Sequence, residues 1–120
     1  MPDPHKQLRL RIVFGDSGMI GPGKVDLLQH IEKKGSISAA GREMGMSYKR
    51  AWMLVETMNA LFSAPVVESS RGGAKGGGAR LTDLGHQVIA HYIALHQKAW
   101  SAAQDDIHAL EDLCAKGAHD

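Results

Sequence analysis

The stretch Gly35-Ser-Ile-Ser-Ala-Ala-Gly-Arg-Glu-Met-Gly-Met-Ser-Tyr-Lys-Arg-Ala-Trp52, running on to Phe62, decides the fold. Ser36 has the side chain to cap a short helix from Ile37 to Met44, which Gly45 stops. Ser47 caps the next helix, from Tyr48 to about Phe62, where Ser63-Ala64-Pro65 breaks it. Two short amphipathic helices across a tight, glycine-containing turn form a helix-turn-helix, whose second helix can enter a major groove. Ala39 and Ala40 are small, as a close crossing of the two helices requires.

At about 100° per residue, Ala51, Leu54, Val55, Met58, Leu61 and Phe62 fall within an arc of about 120°, the predicted core face. Lys49, Trp52, Met53, Glu56 and Thr57 lie on the opposite arc, with Arg50 at its border. The first turn, Ser47-Tyr48-Lys49-Arg50, therefore offers hydroxyls and cations at the end that would meet a nucleic acid. Lys49 and Arg50 suit phosphate or guanine, and Ser47 and Tyr48 suit phosphate oxygens, with Ser36 and Trp52 counted on the same DNA-binding surface.

Outward from this stretch, Leu8, Leu10, Ile12 and Phe14 alternate with Arg9 and Arg11, which predicts a half-buried strand over 7–14. A glycine-rich loop leads to a helix that begins near Pro22, shows Val25, Leu28 and Ile31, and ends at Gly35. Downstream, 66–81 reads as a hairpin. Between Ser69 and Thr82 it carries the cations Arg71, Lys75 and Arg80, no acid, and the glycines Gly72, Gly73, Gly76, Gly77 and Gly78. A basic, glycine-rich tip directly after a candidate recognition helix suits a wing lying on a phosphate backbone or reaching a minor groove. It is not a nucleotide-cradling loop, because no Gly-Lys-Ser/Thr follows and no G-x-G-x-x-G can be read through it.

Thr82 caps a last helix expected over 82–113. Ile89, Ile93, His96, Trp100, Ala103, Ile107 and Leu110, continued by Cys114, alternate steps of four and three as a heptad seam does. A neighbouring stripe, Leu84, Val88, Tyr92, Leu95 and Ala99, is the expected cover for the domain's own core. Two apolar faces predict that the seam packs on a second copy. The expected architecture over 1–120 is one mainly α domain with a small β-hairpin wing, a winged helix-turn-helix with a long C-terminal dimerisation helix.

Of 120 residues, 43% are hydrophobic and 22% charged, an ordinary globular balance. Residues 1–100 carry 13 Lys/Arg against 8 Asp/Glu, whereas 101–120 carry one Lys against 5 acids, a basic body with an acidic tail. No apolar run reaches the roughly 18 residues of a membrane span, and no signal peptide is visible. The single cysteine, Cys114, fits a reducing cytoplasm. His86, His91 and His96 step by five, which turns successive rings by about 140° around a helix, so no metal site is expected. No catalytic constellation and no cofactor motif is found.

The string Ser47-Tyr-Lys-Arg-Ala-Trp52, with the opening Gly35-Ser-Ile-Ser-Ala-Ala40, Asn59, the wing Gly72-Gly-Ala-Lys-Gly-Gly-Gly-Ala79, Leu81-Thr82 and Gly85, closely resembles the N-terminal domain of ModE-type molybdate-responsive regulators. It is more distantly similar to the LysR-type winged helix, over roughly residues 8–105. The resemblance implies a bacterial transcription regulator that binds a palindromic operator in double-stranded DNA as a homodimer, with molybdenum-related genes as targets. It puts Ser47, Tyr48, Lys49 and Arg50 at the DNA-reading end and Gly72 to Gly78 at the wing tip. Family members carry C-terminal molybdate-binding modules, for which this chain has no room before Asp120. The expectation is therefore a DNA-binding-only, nucleoid-associated member that acts constitutively, senses something else, or borrows a separate effector-binding subunit. The alternative is a winged helix used for protein–protein interaction without sequence-specific DNA binding.

Overall fold

The computed structural model describes residues 7–70 and 78–115. In chain order it contains β1 (Ile12–Val13), β2 (Met19–Ile20), α1 (Pro22–Lys34), α2 (Ile37–Glu43), α3 (Tyr48–Leu61), β3 (Val67–Ser70), β4 (Gly78–Leu81), α4 (Asp83–Ala102) and α5 (Gln104–Asp112). This is a winged helix-turn-helix, mainly α with a small β-hairpin.

The helix boundaries follow from local chemistry. Pro22 lies in the first turn of α1, where its missing N–H costs nothing, and Gly35 closes the helix at φ 71°, a left-handed conformation natural to glycine. The Ser36 and Ser47 hydroxyls cap α2 and α3 by accepting from the amides of Ala39 and Arg50, each at 3.1 Å. Gly45 makes the turn between them at φ 72°. α2 comes close to α3 at Gly41, where a Cβ would stand 3.0 Å from that of Ala51. Glycine there, beside the fully buried Ala40, allows the close crossing.

One apolar cluster joins α1 to α4 and the hairpin. Leu27, Leu28 and Ile31 of α1 are wholly buried at its centre, against Ile37 and Ala40 of α2 and Ala51, Val55 and Met58 of α3. Val66, Val67, Ala79 and Leu81 close it from the hairpin, and Ile89 and Tyr92 from α4. Each large aliphatic side chain withdrawn from water in this way contributes about 1.5–3 kcal/mol.

The structure revises the sequence reading in three places. Residues 7–14 keep their alternating burial as far as Ile12, but only Ile12 and Val13 pair with a strand, opposite Ile20 and Met19. The preceding stretch instead lies on α4. The Tyr92 hydroxyl donates to the Leu10 carbonyl at 2.6 Å, and the His96 Nε2–H donates to the Leu8 carbonyl at 2.5 Å. Burial, reinforced by the nearby charge of Asp26 and opposed by Arg9, raises the Tyr92 phenol above its usual pKa and keeps it a donor.

The second revision concerns the last helix, which is two segments. Ala103 leaves helical geometry at φ −95°, ψ 1°, and α5 begins with Asp105 and Asp106 in its first turn, where the positive end of the helix dipole favours acids. The third concerns its faces. Ile89 is buried and His96 is bonded to Leu8, so both expected seam residues face their own domain. Leu95, expected on the core side, is exposed.

Candidate nucleic-acid interface

The first turn of α3 is open to solvent. Tyr48, Lys49 and Arg50 are exposed, and among the described residues neither cation is in an ion pair. The Ser47 lone pair serves the helix cap, which leaves its hydroxyl hydrogen free to donate. Trp52 is half-buried and packs on the core; its ring props Tyr48 edge-on, with centroids 6.1 Å apart. Met53, one turn beyond Lys49, is 56% exposed in the middle of the same outer face.

Across from this turn stand the far ends of β3 and β4. Ser69 pairs with Ala79 and Ser70 with Gly78 in antiparallel register. Ser69, Ser70 and Gly78, with Ser36, Ser38, Tyr48 and Trp52, line a cleft of about 340 Å³. Ser36, expected among the DNA-binding residues, caps α2 and lies 3.3 Å from the Ser38 hydroxyl. The cleft thus has hydroxyls on both walls.

Gly78 opens β4, and Arg80 projects from the exposed side of the hairpin, held at 3.2 Å by Glu68 directly opposite. By sequence Arg80 belongs to a stretch with three cations and no acid. Glu68 lies outside the acid-free stretch, and only the strand register brings the two together. The remaining wing candidates, Arg71, Gly72, Gly73, Lys75, Gly76 and Gly77, lie outside the described residues.

The hairpin is fastened to three helices. The Gly35 carbonyl, at the α1–α2 joint, accepts from Ala79 N at 2.9 Å. Thr82 caps α4 by accepting from Gly85 N, donates its hydroxyl to the Pro65 carbonyl at 2.7 Å, and donates its amide to Val66 O at 3.0 Å. The side-chain amide of Asn59 on α3 meets the peptide groups of Val66 and Val67. From sequence Asn59 and Gly85 stand out only through the resemblance; a side chain such as Asn59, which bonds backbone seven and eight residues on, leaves no periodic signal.

On the far side of the molecule, Ile93 is 39% exposed and Leu110 65%, while Trp100, Ala103 and Ile107 are half-buried. Among the described residues no group of three or more His, Cys, Asp or Glu side chains is placed to hold a metal. Two of the three stepped histidines are engaged elsewhere, His86 with Glu32 and His96 with Leu8. No helix among the described residues is long and apolar enough to cross a membrane.

No protein-family model matches the chain. Among curated proteins it is 53% identical over 76 residues to the molybdenum-pterin-binding protein MopB of Rhodobacter capsulatus, covering 63% of this chain and 28% of that protein. It is 42% identical over 88 residues to the DNA-binding transcriptional dual regulator ModE of Escherichia coli, covering 71% and 34%. To the transcriptional regulator ModE of Haemophilus influenzae it is 33% identical over 112 residues, covering 91% and 44%. The chain therefore spans between 28% and 44% of the length of these relatives.

Among solved structures, the CbnR DBD–DNA complex superposes with a TM-score of 0.56 at 15% identity, covering 73% of this chain and 95% of that one. The LysR family transcriptional regulator VV2_1132 superposes with a TM-score of 0.54 at 14% identity, covering 72% and 28%. At such identities these two carry the fold, and the sequence matches carry the kinship. The chain is a homologue of the ModE and Mop proteins, folded as the winged helix-turn-helix that LysR-type regulators also use.

Proposed function

We propose that this chain binds double-stranded DNA with sequence preference and regulates transcription, as a homodimer on a palindromic operator. The observation that carries this reading is the exposed first turn of α3, with Lys49 and Arg50 unpaired among the described residues, set across a hydroxyl-lined cleft from the far ends of β3 and β4. A 14-residue helix is roughly 21 Å long and fits a major groove, with its N-terminal cations toward bases and phosphates. Arg80 adds to this surface when a phosphate displaces Glu68, since an exposed pair of this kind is worth only about 0.2–1 kcal/mol. The names of the ModE relatives support a regulator, with molybdenum-related genes as targets. Such a protein works in the bacterial cytoplasm at the nucleoid, is not an enzyme, and takes any effector signal through a separate subunit or segment.

Selection of source-genome fragments with the purified chain at about 150 mM salt tests this directly. Recovery of a shared twofold motif is the expected result. Sequence-blind recovery would sink the regulator reading and favour a protein-interaction module.

The dimer rests on the apolar residues that α4 and α5 leave uncovered. α5 buries none of its side chains within the chain, and the molecule is drawn out to 57 × 29 × 25 Å. Ile93, Trp100, Ala103, Ile107 and Leu110 supply a seam along this projecting arm, and a twofold axis there presents two α3 helices to successive half-sites. Light scattering at micromolar concentration is expected to give twice the chain mass. Ile93→Lys/Leu110→Lys is expected to halve it while the monomer stays folded, because both side chains are exposed in the single chain; the melting temperature falls only by the share that dimerisation contributed. A monomeric wild type would refute the seam.

A further inference from the structure

The recognition helix and the hairpin must touch DNA at the same time, and Asn59 is the side chain that ties one to the other. It lies on the last turn of α3, half-buried. Its Oδ1 accepts from the amides of Val66 at 2.8 Å and Val67 at 3.2 Å, and its Nδ2 donates to the Val67 carbonyl at 3.3 Å. One carboxamide thus completes three peptide groups at the point where β3 begins, acting as the strand partner that β3 lacks on that side. Val66 and Val67 are both buried, so these groups have no access to water as a substitute.

The remaining connection from α3 to β3 is Phe62, Ser63, Ala64 and Pro65, of which the last three are exposed. The other fastenings of the hairpin run to Gly35 and to Thr82, on different elements. We infer that Asn59 is a positioning residue that sets the tilt of the hairpin against the recognition helix, so that DNA in the groove of α3 also meets the hairpin. This rests on the DNA-binding reading above. The leverage is large. From Val67 to Ser70 the strand extends on the order of 10 Å, so a tilt of about 10° at its foot displaces its end by on the order of 2 Å. A hydrogen bond to phosphate tolerates only a few tenths of an ångström.

Asparagine suits the position because it carries acceptor and donor on one short arm. Aspartate keeps the acceptor for Val66 and Val67 but turns a second oxygen toward the Val67 carbonyl, and alanine supplies neither.

The test is anisotropy titration of the selected operator, and of single-base variants of it, across a series of salt concentrations. Wild type, Asn59→Ala and Asn59→Asp are compared, and amide exchange at Val66 and Val67 reports the anchor itself. Folded Asn59→Ala is expected to bind at least tenfold more weakly. Its log K against log salt slope should be shallower by about one for each phosphate that the hairpin no longer reaches. The fold-cost of a base change read by α3 should stay as in wild type. Asn59→Asp is expected to fall between the two, and it carries the same comparison if Asn59→Ala does not fold.

An unchanged salt slope in a folded variant overturns the proposal. So does an affinity loss equal only to the unfolded fraction. Failure of the wild type to bind any duplex would instead remove the DNA-binding reading on which the proposal rests.

Discussion

Lys49→Ala/Arg50→Ala is expected to remove selective operator binding while leaving the fold intact. Both side chains are exposed and, among the described residues, unpaired, so their loss strips no buried group of a partner. The cap that starts α3 uses the Arg50 backbone amide, which alanine keeps, and alanine is the better helix former. The melting temperature should therefore stay within a degree or two.

Binding is another matter. A side chain that reads a base is worth about 1–3 kcal/mol, or roughly five- to 150-fold in affinity, and a phosphate contact adds a further, salt-dependent part. Together the pair should cost on the order of a hundredfold at the operator. The single variants separate the two roles. A residue on phosphate weakens all duplexes alike and lowers the salt slope by about one; a residue on guanine weakens the operator and spares random DNA. Unchanged operator affinity in the double variant would show that the first turn of α3 does not meet DNA.

What made this surface legible was local. Ser36, Ser47 and Thr82 announce helix starts because a hydroxyl before an apolar run has one common use, and each is found accepting the expected amide. The core arc of α3 was legible for a similar reason, since Ala51, Val55 and Met58 are buried together at helical spacing.

What escaped was settled by partners distant in sequence. The alternation over 7–14 speaks of burial but not of what does the burying. Side chains of α4 satisfy the Leu8 and Leu10 carbonyls in place of a second strand. A heptad count cannot tell an inward face from an outward one, so Ile89 and His96 were grouped with a seam they do not join. At Ala103 nothing local signals a break, because alanine is the strongest helix former of all.

Gly85→Ala sets two physical effects against each other and is expected to destabilise the protein. Gly85 lies in the first turn of α4, with no left-handed backbone angle to demand glycine. By helix propensity alone, alanine there would stabilise by up to about 1 kcal/mol. A Cβ at this position, however, would stand 2.3 Å from the Val66 carbonyl oxygen and 3.2 Å from its carbon.

Neither can yield easily. Val66 is fully buried, its carbonyl is held by the Thr82 amide at 3.0 Å, and Thr82 is bound in turn to Pro65 and to Gly85 itself. Relief requires α4 and the hairpin to part by about 1 Å, which opens the core at Leu81 and strains the cap. Overpacking of this kind costs about 1–3 kcal/mol and occasionally more, so it exceeds the propensity gain. The melting temperature should fall by on the order of 10 °C for 3 kcal/mol.

Gly23→Ala is the matched control. Gly23 is an exposed glycine at the start of α1 with nothing within 4 Å of its would-be Cβ, and it should hold or gain stability. If Gly85→Ala melted at or above wild type, the contact between α4 and Val66 would have to be looser than it stands. The joint that carries the hairpin would then be adjustable, and a wing that adapts to its DNA would replace a rigid one.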